Sequence, residues 1–193
     1  ELGDTELAMI CTETYLGECT SAELLDLRQF EAPVNYEQMR LASAAWSAFR
    51  AETPEDMDRM VDWDSAAMPY LRDTLFRLLE EYPSTGNGLG RTMNTALQLV
   101  ADGETNLWSL FSRYQETEKR RFLGDMVFWH QLNRFLQSTP ASLTLDGDDK
   151  LEAPIAKDAS IQITSTGEKL LTGQTNWFDL ARVDYWIGGA HID

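Results

Sequence analysis

Three consecutive segments between Arg91 and Gln137 repeat apolar residues at helical spacing, and two short alternating stretches follow them. No other feature constrains the fold as strongly, because the period changes from about 3.6 to 2 within one stretch of chain. The first segment runs from Arg91 to Ala101 and is closed by Asp102-Gly103. The second runs from Asn106 to Glu116, with Thr105 as its cap, and the third from Leu123 to Gln137, stopped before Pro140. Ser142-Leu143-Thr144-Leu145 and Ile161-Gln162-Ile163 then alternate as strands, separated by a polar stretch over 146–159. Thr164 or Ser165 with Glu168 resembles a capping box opening a short helix that Gly173 ends. Three helices, strand, loop, strand is winged-helix order, spanning about Asn87 to Gly173, although such strings recur in other α+β domains.

Upstream, Leu7-Ala8-Met9-Ile10-Cys11 reads as a short buried strand. Nothing in the next hundred residues resembles a partner for it, so its backbone groups must pair with something distant. The candidates are a late strand, a second chain, or sequence preceding Glu1, which would make the chain a fragment or a processed product. Residues 13–35 read as loop with one short helix, Ala22 to Leu27, capped by Ser21. A helix follows from about Tyr36 to Ala51. A second runs from Pro54 to Val61, its start marked by Thr53-Pro54 and its first turn rich in acids. A third is capped by Asp64 or Ser65, carries the Leu71, Leu75, Leu78 and Leu79 stripe, and stops at Tyr82-Pro83. Pro83-Ser84-Thr85-Gly86-Asn87-Gly88 is the best linker in the chain, a flexible connector that places a domain boundary between residues 83 and 84.

Charge restricts the partners. The net charge is −16. Residues 1–85 hold 18 acids against 6 bases, residues 86–136 hold 5 against 6, and residues 137–193 hold 9 against 4. A chain this acidic repels phosphate backbones, which disfavours autonomous nucleic-acid binding. Within the winged-helix reading, the helix before the wing would enter the major groove. Here that helix, Leu123 to Gln137, is largely apolar, so it reads as buried on more than one side. Lys119-Arg120-Arg121 is the only basic cluster, and with Arg134 it forms the weak nucleic-acid candidate set. A solvated helix entry is the favoured reading of that cluster.

Catalytic and cofactor motifs are scarce. The acid pairs Glu80-Glu81 and Asp148-Asp149 lack a companion base and read as solvated surface. Gly86 to Gly90 lacks the lysine and the preceding strand of a phosphate loop. The two histidines, His130 and His191, and the two cysteines, Cys11 and Cys19, form no metal-ligand spacing, so neither metal nor cofactor is expected. Cys11 reads as a buried thiol, and both cysteines as free thiols in a reducing cytoplasm. No apolar run approaches a membrane span. The C-terminal end, Asp184-Tyr185-Trp186-Ile187-Gly188-Gly189-Ala190-His191-Ile192-Asp193, is aromatic and glycine-paired where chain ends are usually polar, so it should dock. A suitable turn would bring Asp184 and His191 together as an acid–imidazole pair, the weak catalytic candidates; a docked tail with a capping Asp and a surface His is favoured.

Motifs along the whole chain bear a family resemblance. They are Tyr15-Leu16-Gly17, Ala45-Trp46-Ser47-Ala48-Phe49, Pro69-Tyr70-Leu71, Glu80-Glu81-Tyr82-Pro83, Asn87-Gly88-Leu89-Gly90-Arg91-Thr92, Leu123-Gly124-Asp125 with Phe128-Trp129, and the closing Asp184-x-Trp186-Ile187-Gly188-Gly189-x-His191. With these the chain resembles the C-terminal portion of a bacterial family of uncharacterised proteins built from paired domains of unknown function. Met93 departs from the pattern, where the family often has an acid. The resemblance implies an α/β half upstream, which would supply partners for the strand at Leu7, and it implies no activity. The expectation is a mainly helical α+β chain. A helical part over 1–83, the end of a larger α/β domain, packs on a winged-helix-like part over 84–193 with a docked tail. The leading functional expectation is a cytoplasmic regulatory or scaffolding module acting through protein contacts, with a protein or its own upstream domain as partner. DNA binding and an enzyme site shared with the upstream half are the alternatives.

Overall fold

The computed structural model describes residues 6–147 and 149–193. The chain is mainly helical, with three two-stranded antiparallel sheets among those residues. It divides into two compact units, Glu1–Leu75 and Phe76–Asp193. The division lies inside a helix rather than at residues 83–84. No helix among the described residues is long and apolar enough to cross a membrane.

In the first unit, β1 (Ala8–Ile10) pairs antiparallel with β2 (Glu31–Pro33), Met9 opposite Ala32. The partner is therefore local. It was illegible in sequence because Glu31-Ala32-Pro33 has neither apolar alternation nor β-branched residues, and proline is tolerated there only because this is an edge. The strand is not buried either. Leu7 and Ile10 are about two-fifths exposed, and Cys11 is an exposed free thiol rather than a core one. Between the strands, α1 (Ser21–Asp26) is capped by Thr20. The Thr20 hydroxyl accepts from the Glu23 amide while the Glu23 carboxylate accepts from the Thr20 amide. α2 (Tyr36–Phe49) opens on the equivalent reciprocal pair, Asn35 with Gln38. It packs on α3 (Glu55–Val61), and Leu41 and Ala48 of α2 and Met57 and Met60 of α3 are buried.

α4 (Leu71–Leu79) begins later than its expected cap at Asp64 or Ser65, because residues 66–70 form turns instead. The second unit then follows the expected order closely. α5 is Arg91–Ala101, α6 is Leu107–Thr117 and α7 is Asp125–Leu136. β3 (Leu143–Leu145) pairs antiparallel with β4 (Ile161–Ile163), and α8 (Ser165–Leu171) is capped by the Thr164 hydroxyl. A single bridge, Asn106 to Ser160, adds a third short rung between α5 and α6. The amide of Ile161 donates to the carbonyl of Thr105 at 2.8 Å. That pairing draws Thr105 away from the capping role, and the Asn106 side chain caps α6 instead.

One core holds this unit together. Leu97, Leu107, Leu110, Tyr114, Phe128, Leu132, Phe135, Leu143, Ile161 and Leu170 are fully or almost fully buried within it. Burying each large side chain contributes about 1.5–3 kcal/mol relative to exposure. α7 supplies Phe128, Trp129, Leu132 and Phe135 to that core, but Met126 and Val127 remain more than half exposed, so the helix is buried on one side only. Residues 87–90 are buried too. A Cβ on Gly90 would overlap the carbonyl of Glu81, and the Asn87 side chain bonds Ser84, Asn94 and the Leu89 amide. The expected flexible connector is a packed turn, because its polar side chains find internal partners instead of water.

Candidate functional site

Beyond α8 the chain forms two elements that sequence periodicity is too short to reveal. α9 (Trp177–Leu180) is a single turn capped by Asn176, and it inserts Trp177 into the core against Phe135, ring centroids 5.3 Å apart. β5 (Tyr185–Ile187) and β6 (Ala190–Ile192) then make an antiparallel hairpin across Gly188-Gly189. Gly188 has φ +60°, which the first central position of a type II′ turn requires and L side chains resist. The hairpin docks. Ala190 is buried, Ile192 packs against the core, and the Ile187 carbonyl accepts from the Tyr82 hydroxyl at 3.3 Å.

The hairpin register sets Trp186 opposite His191, and the turn brings Asp184 and His191 together. His191 Nε2 lies 3.0 Å from Asp184 Oδ1, and the imidazole stacks on Trp186 with ring centroids 4.6 Å apart. The His191 hydrogen bond, with Arg182 nearby, holds the Asp184 carboxyl below the usual carboxylate range. Both side chains are substantially solvent-exposed, as is Trp186, so the pair sits on an open surface where water competes for every proton.

Arg134 is the only Lys or Arg of α7, and Lys119, Arg120 and Arg121 precede that helix. Those three lie exposed before the first turn of α7, whereas Arg134 sits in its last. The two ends of α7 itself are roughly 15 Å apart. The guanidinium carbon of Arg134 lies 4.8 Å from the Tyr185 ring centroid and 5.6 Å from that of Trp177. Burial pushes its pKa down, offset in part by the Tyr185 phenol. The nucleic-acid candidate set is therefore split, and its one helical member is spent on aromatic packing.

A second polar cluster lies inside the unit, and sequence reasoning missed it. Arg77 donates to Glu81 at 2.6 Å and to Glu118 at 2.7 Å, and its guanidinium covers the Phe122 ring at 3.9 Å. Arg91 bridges Glu80 and the same Glu118. The Thr92 and Tyr114 hydroxyls close the network at 3.1 Å, and Tyr114 also donates to Glu118. Glu80 and Glu81 are thus part-buried ion-pair partners rather than the solvated acids expected, because the turn at 87–90 folds α5 back onto them. Of the other acid pair, Asp149 is exposed and Asp148 lies outside the described residues. Burial opposes the Glu118 charge, but the hydrogen bonds and charge of Arg77 outweigh it and lower the pKa. Desolvation pushes the Tyr114 phenol up to about 12. Arg77 and Glu81, spaced i and i+4, carried the one legible signal. The network links α4, α5 and α6 by setting two arginines among three carboxylates, an arrangement suited to holding helices together.

A cavity of about 580 Å³ opens where α7 and α9 meet. Its wall includes Arg134, Gln137, Trp177, Asp179 and Arg182. The Trp177 indole N–H is buried without an acceptor among the described residues. Comparisons of the chain with protein-family models, curated proteins and solved structures return no match.

Proposed function

We propose that the chain is a regulatory or scaffolding module that works through protein contacts. The observation that carries this reading is the apolar surface of the first unit. Leu7, Ile10, Leu24, Leu25, Phe30 and Tyr36 are each at least two-fifths exposed within its first 36 residues, and Tyr36 reaches 83%. Isolated exposed apolar residues are ordinary, whereas such a concentration in one small unit favours coverage by another polypeptide surface. The occupant is a protein partner or an upstream domain of the same polypeptide.

The winged-helix arrangement of the second unit belongs to this proposal. The order α5–α6–α7–β3–β4 and the Asn106–Ser160 bridge support it, and such units serve as docking modules as well as DNA readers. DNA binding is the weaker reading, since α7 presents Met126 and Val127 to solvent and commits Arg134 to Trp177 and Tyr185. Catalysis at Asp184 and His191 is weaker again, as both side chains are substantially exposed to solvent.

A photo-crosslinking amino acid at Leu25 or Tyr36, introduced in cells of the natural source, tests the reading. A discrete protein adduct, or an internal crosslink to an upstream domain, is expected. Absence of any protein adduct at both positions, together with saturable binding of duplex DNA at low salt that neutralising Lys119, Arg120 and Arg121 abolishes, would replace it with the DNA-binding reading.

A further inference from the structure

Arg134 is a half-buried cation whose contacts are all uncharged. Its Nη1 donates to the Met93 thioether at 3.6 Å and to Gln131 Oε1 at 3.3 Å, and its remaining neighbours are the Trp177 ring and the ring and phenol oxygen of Tyr185. Burial holds the Tyr185 phenol neutral by raising its pKa. No carboxylate among the described residues pairs with Arg134, in a chain with twice as many acids as bases. Buried charges are ordinarily paired. Beside it, Trp177 is 1% exposed and its indole N–H has no acceptor. Buried donors of that kind are rare and call for an explanation. Both residues line one cavity, whose 580 Å³ is the size of a small-molecule site.

We propose that this cavity binds the carboxylate of a small organic monoanion, one oxygen accepting from the Arg134 guanidinium and the other from the Trp177 indole. A guanidinium matches a carboxylate bidentately, and a thioether is a weak acceptor, so Arg134 exchanges Met93 for the ligand at little cost. The indole nitrogen is itself buried, so the ligand reaches it only if side chains lining the cavity, Arg134 among them, move. The charge balance selects a monoanion. Asp179 shares the wall and opposes added negative charge, and Arg182 is already 3.4 Å from Asp184. One unmatched cation remains, which suits a carboxylate better than a phosphate dianion. The wall also offers Phe178, Leu180 and Ala181 to an apolar body. The proposal is independent of the protein-contact reading.

Proton–nitrogen NMR of the whole chain tests it, with the Trp177 indole signal assigned by Trp177→Phe. Titrating benzoate, acetate and inorganic phosphate in turn, the expected result is a saturable downfield shift of that signal with benzoate, a weaker one with acetate and none with phosphate. Arg134→Met, which keeps the packing stem, should weaken benzoate by at least about tenfold. A wild-type indole signal that stays fixed, or moves linearly without saturation, with every carboxylate overturns the proposal, whatever the variant does. Saturation by phosphate with no response to benzoate overturns the choice of a carboxylate.

Discussion

Glu118 shows how a residue at the end of a helix can govern the stability of a whole unit. Its side chain is 2% exposed, and it takes hydrogen bonds from Arg77 and Tyr114. Replacing it with Gln keeps the shape, removes the charge and strands the Arg77 cation. Breaking a buried pair in this way costs about 3–5 kcal/mol; the second partner Glu81 places the expected loss near the lower end, read as a fall in the urea midpoint. The pH dependence has a definite sign. The folded-state pKa of Glu118 lies below its unfolded value, so its contribution is complete above the ordinary glutamate range, about 4.3, and is lost as pH falls through the lower, folded pKa. Acid titration of the wild type should therefore show stability falling below about pH 4, and Glu118→Gln should flatten that limb. If the two acid limbs coincide, Glu118 is not charged in the folded protein.

At the scale of elements, local chemistry was a good guide wherever an element carried its own period and caps. α5 and β4 occupy the expected residues, and α7 and β3 differ from expectation only at their ends. α9 and the β5–β6 hairpin escaped because four- and three-residue elements have too few repeats to declare a period. The hairpin did leave one trace, the glycine pair. Gly188→Val puts a β-branched side chain at φ +60° and should open the turn. The expected outcome is loss of the Trp186–His191 ring-current shifts and of the Tyr185 contact with Arg134, with α5–α7 intact. Unchanged His191 ring signals in that variant would mean that the turn does not set the pair.

For the whole molecule, the two units differ in how they satisfy themselves. The second encloses one continuous core from Leu89 to Val183, whereas the first buries few large side chains and exposes many. A piece comprising residues 64–193, which keeps α4 entire, should therefore fold by itself, with cooperative thermal unfolding and amide shifts matching those of the full chain across α5–β6. Non-cooperative melting of that piece would show that the second core depends on the first unit. The sequence by itself determined helices α5 to α8 of the second unit, the strands at 143–145 and 161–163, and the scarcity of metal-ligand spacing, since each follows from period, capping chemistry or composition. Only the tertiary structure decided that Glu80 and Glu81 are internal, that Arg134 faces aromatic rings, that β1 pairs with β2, and that Asp184 meets His191. Those outcomes depend on side chains far apart in the chain, or on turns too short to announce themselves, and periodicity within a segment carries no information about which distant residue will fill the space beside it.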